Sequence, residues 1–287
     1  MLSRAFAHTL PSTDQELLLV AALPTGAQGR AALGALLARH ATLEHLTTDD
    51  RELLPLLLDG VEANGAALPN GLRSVLRAAR LHEELRGAKV AAECAAVLAT
   101  RARRGEPVVV LGGASVAERL YGGWSVRHFG ALELLGPADD VERRASGLRV
   151  VTRRTLLPHG GRTDVGTPET VRATVAGQPA LVLASPTFVL ERLAGPGAHR
   201  EPSGWWAADV VRLLATQPDL DWDAVLHGAR RTGSLLALWL RGRWLAEHLG
   251  APVPHQVLAA ARRGMGGEAA TALTRGAARQ VRRRAGR

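Results

Sequence analysis

The chain of 287 residues is long enough for one large domain or two small ones, and its hydrophobic content of 46% suffices for a buried core. Basic residues outnumber acidic ones by 36 to 27, which gives a charge of +9, and all but one of them are arginine. Such an arginine excess is typical of a GC-rich genome, and the functional alternative is a surface that attracts anions. The single cysteine, Cys94, excludes an internal disulfide. Because no signal-like segment opens the chain and no apolar run reaches the roughly 20 residues of a membrane span, we expect a cytoplasmic protein.

Residues 1–104 have the pattern of a helical region. Ser12 and Gln15 show the spacing of a capping box, which predicts the start of a first helix. Leucines recur at helical spacing through the segment, and the longest predicted helix, or pair of helices, covers residues 71–103. The charged residues of that helix are predicted to form a solvated face: His82, Glu83, Glu84 and Arg86.

Residues 105–184 have the pattern of an α/β core. An apolar run over residues 108–111 predicts a buried strand, and Gly112-Gly113 follows it directly. A helical segment and a second short apolar run come next, so the order is strand, glycine turn, helix, strand. A glycine pair at such a turn lets backbone N–H groups approach an anion closely.

The rest of this core contains weaker signals. We predict strands over residues 148–151 and 155–157, and a hairpin that ends at Leu183. Between them, Asp139 or Asp140 is predicted to cap a short helix over residues 141–145.

The C-terminal part is predicted to be helical up to a basic tail. Helix caps and apolar periodicity recur after Ser185, and the tryptophans of this part fall on apolar faces typical of a core. The sequence therefore predicts four regions: a helical region 1–104, an α/β core 105–184, a helical region 185–274 and a basic tail 275–287.

Three motifs around the glycine turn share the order and spacing of one known family. Leu111-Gly112-Gly113 stands where its members have Leu-Lys-Gly, and Ala117–Tyr121 matches the helix that follows. Arg127–Leu135 occupies a strand with the family pattern Arg-x-x-x-Asp-x-Asp-Leu-Leu. The chain resembles a bacterial family of uncharacterised nucleotidyltransferases. This resemblance implies an α+β fold, with a small mixed nucleotidyltransferase-type sheet flanked by an N-terminal helical region and a C-terminal helical bundle.

The resemblance also implies a metal site that this chain has largely lost. Active members hold two Mg²⁺ ions and a nucleoside triphosphate (NTP) with two carboxylates of one strand and a third from a neighbouring strand. Ala131 stands at the first acidic position and Glu133 at the second. Leu157 stands near the third, where the family resembles Asp-x-His. Two of the three expected carboxylates are missing, so the sequence assigns no metal ligand, and Mg²⁺ and NTP are expected only if the protein is active.

A ligand site at the glycine turn is still predicted. Gly112, Gly113 and Ser115 could donate backbone N–H groups and a hydroxyl to a phosphate or carboxylate, and Arg127 could pair with that anion. The expected ligand is an anionic small molecule, a nucleotide or a peptide, with a protein partner as a further possibility. Under the structural alternative, Gly113 and Ser115 form only a helix cap.

Glu133 and His159 are the candidate residues for acid–base catalysis. The alternative for Glu133 is an ion pair with Arg127 or Arg154, since a buried carboxylate needs a partner. The alternative for His159 is an ordinary loop position.

Three functional hypotheses follow. In the first, the protein is a degenerate nucleotidyltransferase-like protein that binds its ligand in a biosynthetic or modification pathway without transferring nucleotide. In the second, it is an active transferase or repurposed enzyme that uses Glu133 and His159, with spare carboxylates at Asp139, Asp140 and Asp164. In the third, the tail over residues 275–287 makes it a nucleic-acid accessory protein, although no nucleic-acid-binding module accompanies the tail.

Overall fold

The protein is described here from a computed structural model that covers residues 10–23, 27–40, 42–137, 139–144, 147–156, 168–195 and 204–267. His159, Leu157, Asp164 and the basic tail lie outside the described residues.

The N-terminal region is helical, as predicted. Its helices are α1 (Thr13–Ala22), α2 (Ala27–Arg39), α3 (Thr48–Arg51), α4 (Leu54–Ala63) and α5 (Asn70–Arg103). The predicted capping box is present at the start of α1. The Ser12 hydroxyl accepts a hydrogen bond from the Gln15 N–H at 3.2 Å, and the Gln15 side chain accepts one from the Ser12 N–H at 3.0 Å.

A six-stranded mixed sheet forms the centre of the described chain. Its strands are β1 (Val109–Leu111), β2 (Ala131–Leu135), β3 (Asp140–Arg143), β4 (Arg149–Arg153), β5 (Thr170–Val175) and β6 (Gln178–Leu183). The strand order is β3-β4-β2-β1-β6-β5. β1 runs antiparallel to β2 and parallel to β6, whereas β2 runs parallel to β4. The short helix α6 (Ala117–Tyr121) connects the glycine turn after β1 to the segment that leads into β2.

The C-terminal helices are α7 (Ser185–Ala194), α8 (Trp205–Thr216), α9 (Trp222–Thr232), α10 (Leu235–Leu249) and α11 (His255–Gly264). Together with the N-terminal helices and the sheet, they confirm the predicted α+β fold. Trp205 and Trp206 are buried, so these indoles contribute to the core. No helix in the described ranges combines the length and the apolarity that a membrane crossing requires.

The two faces of the sheet pack against different helices because side chains alternate along a strand. Val110, Leu132 and Leu134 belong to a core cluster with the second half of α5. Leu111 and Leu183 point the other way and join a larger cluster with the N-terminal and C-terminal helices. Glu133 lies opposite Leu111 in the β1–β2 register, so it faces this second side.

Three local predictions were wrong. Asp139 and Asp140 do not cap a helix, because residues 140–143 form the edge strand β3, paired antiparallel with β4. Backbone pairing with the edge of β4 thus outweighs the weak helix preference of residues 141–145. Thr155 and Leu156, the described part of a predicted strand, lie outside any strand. Glu83 is buried rather than solvated, since it packs beside His128.

Candidate functional site

The glycine turn is buried and closely packed. Gly112–Ser115 form one turn of 3₁₀-helix after β1, and the Ser115 hydroxyl donates to the Gly112 carbonyl at 2.8 Å. Gly112 has a φ of +59°, which favours glycine. A Cβ on Gly113 would lie 3.0 Å from the guanidinium carbon of Arg127 and 3.1 Å from the Cβ of Phe129. Both glycines are therefore required by the local geometry, one by its backbone angle and the other by close packing.

Arg127 is fully buried behind this turn and pairs with Asp209 of α8. Its Nε and one Nη each donate to a different carboxylate oxygen of Asp209 at 2.9 Å. The guanidinium also lies 4.5 Å from the centre of the Trp205 ring, a cation–π distance. The Tyr121 hydroxyl donates to the same Asp209 carboxylate at 2.7 Å. Burial, followed by the charge of Asp209, raises the pKa of Tyr121 well above its ordinary value, so this phenol remains a neutral donor.

Glu133 lies in a second part of the same buried network. It forms an ion pair with Arg153 of the neighbouring strand β4, whose guanidinium also lies 3.9 Å from a carboxylate oxygen of Glu191 on α7. Arg192 follows Glu191 in α7 and contacts Asp209 at 3.2 Å, which connects the Glu133 side to the Arg127 side. The network therefore joins the sheet to two C-terminal helices through alternating positive and negative groups.

Within the described ranges, the network contains three buried acids and four buried arginines. Its buried acids are Glu133, Glu191 and Asp209, and its buried arginines are Arg127, Arg153, Arg192 and Arg241. Burial, with a smaller effect of the nearby Arg192 charge, lowers the pKa of Arg241 to about 10, so this group is still protonated at neutral pH. It donates to the Leu193 carbonyl at 2.6 Å and lies over the Trp206 ring. The part of the network that the structure describes thus holds four arginines and three carboxylates.

The Glu133–Arg153 pair is the end of the network that is nearest to solvent. The exposed fractions of these two side chains are 11% and 8%, whereas the side chains of Glu191, Arg192 and Asp209 are fully buried.

A separate charged cluster lies between the N-terminal helices and the segment before β2. The two ring nitrogens of His128 lie 2.8 Å from Glu83 and 3.2 Å from Glu52. Arg86 contacts Glu83 at 2.7 Å and donates to the Phe129 carbonyl. This cluster holds the chain next to Arg127 in place, because His128 follows Arg127 directly.

The structure brings most of the predicted site residues together. Gly112, Gly113, Ser115 and Arg127 form one contiguous buried group, and Glu133 lies beside it on β2. Glu133 forms an ion pair, as the alternative interpretation expected, but with Arg153, which was not one of the two partners considered, Arg127 and Arg154. Arg154, in contrast, contacts the side chain of Asp139 through its backbone N–H.

Sequence reasoning missed five charged residues of the network: Arg153, Glu191, Arg192, Asp209 and Arg241. A signal was available, because Glu191, Arg192 and Asp209 occur within helices whose neighbouring residues are apolar and buried. A charged residue in such a segment requires a partner, the same argument that singled out Glu133. Arg153 offered no such signal, since its approach to Glu133 depends on the β2–β4 register.

Comparison with known proteins adds one match. No curated protein and no solved structure gives a significant match to the chain. The profile of a family described as uncharacterised nucleotidyltransferase matches residues 47–150, a segment that contains the glycine turn, Arg127 and Glu133. This match confirms the resemblance that was inferred from the motifs. Residues 47–150 are therefore similar to the uncharacterised nucleotidyltransferase family.

Proposed function

We propose that the protein is a nucleotidyltransferase-like protein that binds an anionic ligand and does not transfer nucleotide. The observation that carries this proposal is the ion pair between Glu133 and Arg153. Glu133 is the one acid retained among the three positions that the resemblance implies for metal binding, and a guanidinium lies directly against it.

The contacts around Arg153 do not suit a pair of Mg²⁺ ions. Hard divalent cations require several free carboxylate oxygens, whereas the Arg153 guanidinium lies between Glu133 and Glu191 and supplies positive charge there itself. Among the described residues, no group of three acidic, histidine or cysteine side chains is arranged to hold a metal ion. We therefore assign no metal-dependent step to this protein.

The buried arginines of the network support an anion as the ligand. Among the four in the described part of the chain, Arg153 has the largest exposed fraction. The Glu133–Arg153 pair is the least buried part of the network, with side-chain exposed fractions of 11% and 8%. The family resemblance favours a nucleotide, a small anion or an acidic peptide of a biosynthetic or modification pathway. A guanidinium recognises the phosphate or carboxylate of each through paired N–H donors.

The test measures binding and turnover on the same samples. We expect ATP and inorganic pyrophosphate to raise the thermal midpoint without Mg²⁺, and we expect no pyrophosphate release from NTPs when Mg²⁺ is added. Arg153→Lys keeps the charge but loses the forked donors, so it should weaken binding about tenfold. Arg154→Lys, an exposed change at the next position, is the matched control and should bind normally.

Two results would overturn the proposal. One is Mg²⁺-dependent pyrophosphate release that Glu133→Gln or His159→Ala abolishes, which would establish the active transferase instead. The other is equal binding by the Arg153→Lys and Arg154→Lys variants, which would show that the ligand does not bind at Arg153. Under the proposal, the wild type and the Glu133→Gln and His159→Ala variants all release no pyrophosphate.

A further inference from the structure

An apolar stripe runs along the solvent-exposed side of α5. It consists of Ala78, Leu81, Leu85, Ala88 and Ala92, and all five are exposed. Leu81 and Leu85 have exposed fractions of 57% and 68%, among the highest of the large apolar side chains in the described chain. Burying them would remove apolar surface from water, so this stripe favours a partner.

The spacing of the stripe is that of a two-helix seam. Its members alternate at intervals of three and four residues, as positions a and d of a heptad do. Leu76, Glu83, Val90 and Val97 recur every seven residues on the opposite side of α5, and they are buried in the body of the protein. A partner helix on the stripe would therefore approach from the side away from the protein's own core.

One pair of charges beside the stripe matches a second copy of the same helix. Glu84 precedes Leu85 at position g, and Lys89 follows Ala88 at position e of the next heptad; both are exposed. In a parallel pair of helices, g of one chain lies beside the following e of the other, so Glu84 meets Lys89 of the second copy twice. In an antiparallel pair centred on the leucines, the two Glu84 side chains would meet each other. The charge pattern thus selects the parallel arrangement.

We propose that α5 is a dimerisation helix, which pairs in parallel with α5 of a second copy through the stripe from Ala78 to Ala92. A twofold axis along the seam makes the interface self-complementary, as homodimers require. The alanines let the two backbones approach closely, and the leucines supply most of the buried apolar surface. This interface is independent of the buried charge network and of its ligand.

The test is the mass of the full-length protein by sedimentation equilibrium over a range of concentrations. We expect a dimer that Leu85→Glu dissociates, with the dissociation constant raised about a hundredfold or more. Val141→Glu, a change at an exposed apolar position of β3 and outside α5, is the control and should leave the dimer intact. Because Leu85 is exposed, the Leu85→Glu monomer should keep the wild-type helix content, which circular dichroism checks.

Charge reversals test the orientation. Glu84→Lys and Lys89→Glu should each weaken the dimer about tenfold, and the double variant should restore it. Ala78→Cys should form an intermolecular disulfide on oxidation, since equivalent positions face each other only in the parallel pair. A monomer at every concentration, a dimer that tolerates Leu85→Glu, or a dimer without the Ala78→Cys crosslink would overturn the proposal. If the protein is a monomer at every concentration, the stripe would instead bind a different protein.

Discussion

Arg127 and Asp209 form a two-point ion pair with both side chains fully buried, although they lie 82 positions apart in the sequence. The pair joins the segment before β2 to α8. Asp209 also accepts the Tyr121 hydroxyl hydrogen and faces Arg192, so one carboxylate satisfies three neighbours.

Removal of this carboxylate is expected to destabilise the whole fold. Asp209→Ala leaves Arg127 and Arg192 buried without their shared anion, and breaking a buried pair in this way costs about 3–5 kcal/mol. The free energy of unfolding from urea titration measures the effect. Asp219→Ala, which removes an exposed acid, is the control and should change stability by less than about 0.5 kcal/mol. Equal stability of the two variants would contradict the structural role of the pair.

A methyl group at Gly113 is expected to disturb the glycine turn. The Cβ of Gly113→Ala would lie 3.0 Å from the Arg127 guanidinium carbon, so Arg127 would have to shift away from Asp209. Overpacking of this kind costs about 1–3 kcal/mol. Gly130→Ala is the matched control, because a Cβ there meets nothing within 4 Å. Thermal unfolding of both variants decides the point, and an unchanged midpoint for Gly113→Ala would be evidence against close packing at this turn.

The Cys94 thiol is expected to be inert in the folded protein. Its exposed fraction is 0%, and burial raises its pKa to about 12, so almost no reactive thiolate exists at about pH 8. A thiol-specific reagent should label it only after denaturation. In a Cys94→Ala background, Ala102→Cys places a thiol at an exposed position of the same helix and should react at once. Rapid labelling of native Cys94 would show that α5 opens locally.

Glu52 is expected to make stability depend on pH in the mildly acidic range. Burial is the main reason that its pKa lies above the ordinary value of 4.5, and the charges of Asp49 and Glu83 add to this rise while His128 and Arg86 oppose it. The folded protein therefore keeps the Glu52 proton at pH values where the unfolded chain has lost it. The stability contributed by the protonated form is fully present below pH 4.5 and is lost as the pH rises through the raised pKa.

Glu52→Gln removes this proton equilibrium. The free energy of unfolding of the wild type, relative to that of the variant, should increase as the pH is lowered from about 7 towards 5. Chemical denaturation at several pH values measures the trend. Glu62→Gln, which changes an exposed carboxylate on α4, should show no such trend relative to the wild type. A constant difference between wild type and Glu52→Gln would mean that Glu52 has the same pKa in both states.

The sequence was sufficient for the α+β fold because its signals are local. The apolar runs at β1 and β2, the glycine pair between them and the capping box at Ser12 each depend on neighbouring residues, and the structure contains all of them. The failure at residues 140–143 has a different cause. β3 is short, exposed and held by its pairing with β4, so its conformation is set by a neighbour in space.

The candidate site could be predicted only in part for the same reason. Glu133 was found because an acid in an apolar strand is unusual, but the identity of its partner required the register that places Arg153 nearby. Asp209 contributes to the site from a helix far along the chain. The stripe on α5 escaped notice because three of its five members are alanines, which carry little hydrophobic signal.

The Arg127–Asp209 pair has a consequence for how this protein can be divided. The family match ends at residue 150, yet the counter-ion of its buried arginine is supplied from α8. An excised fragment of residues 47–150 would lose both the acid that pairs with Arg127 and the helices that cover one side of its sheet. The smallest fragment that can fold independently is thus longer than residues 47–150. A chimaera that joins residues 47–150 to a different C-terminal region would need an acidic side chain in place of Asp209.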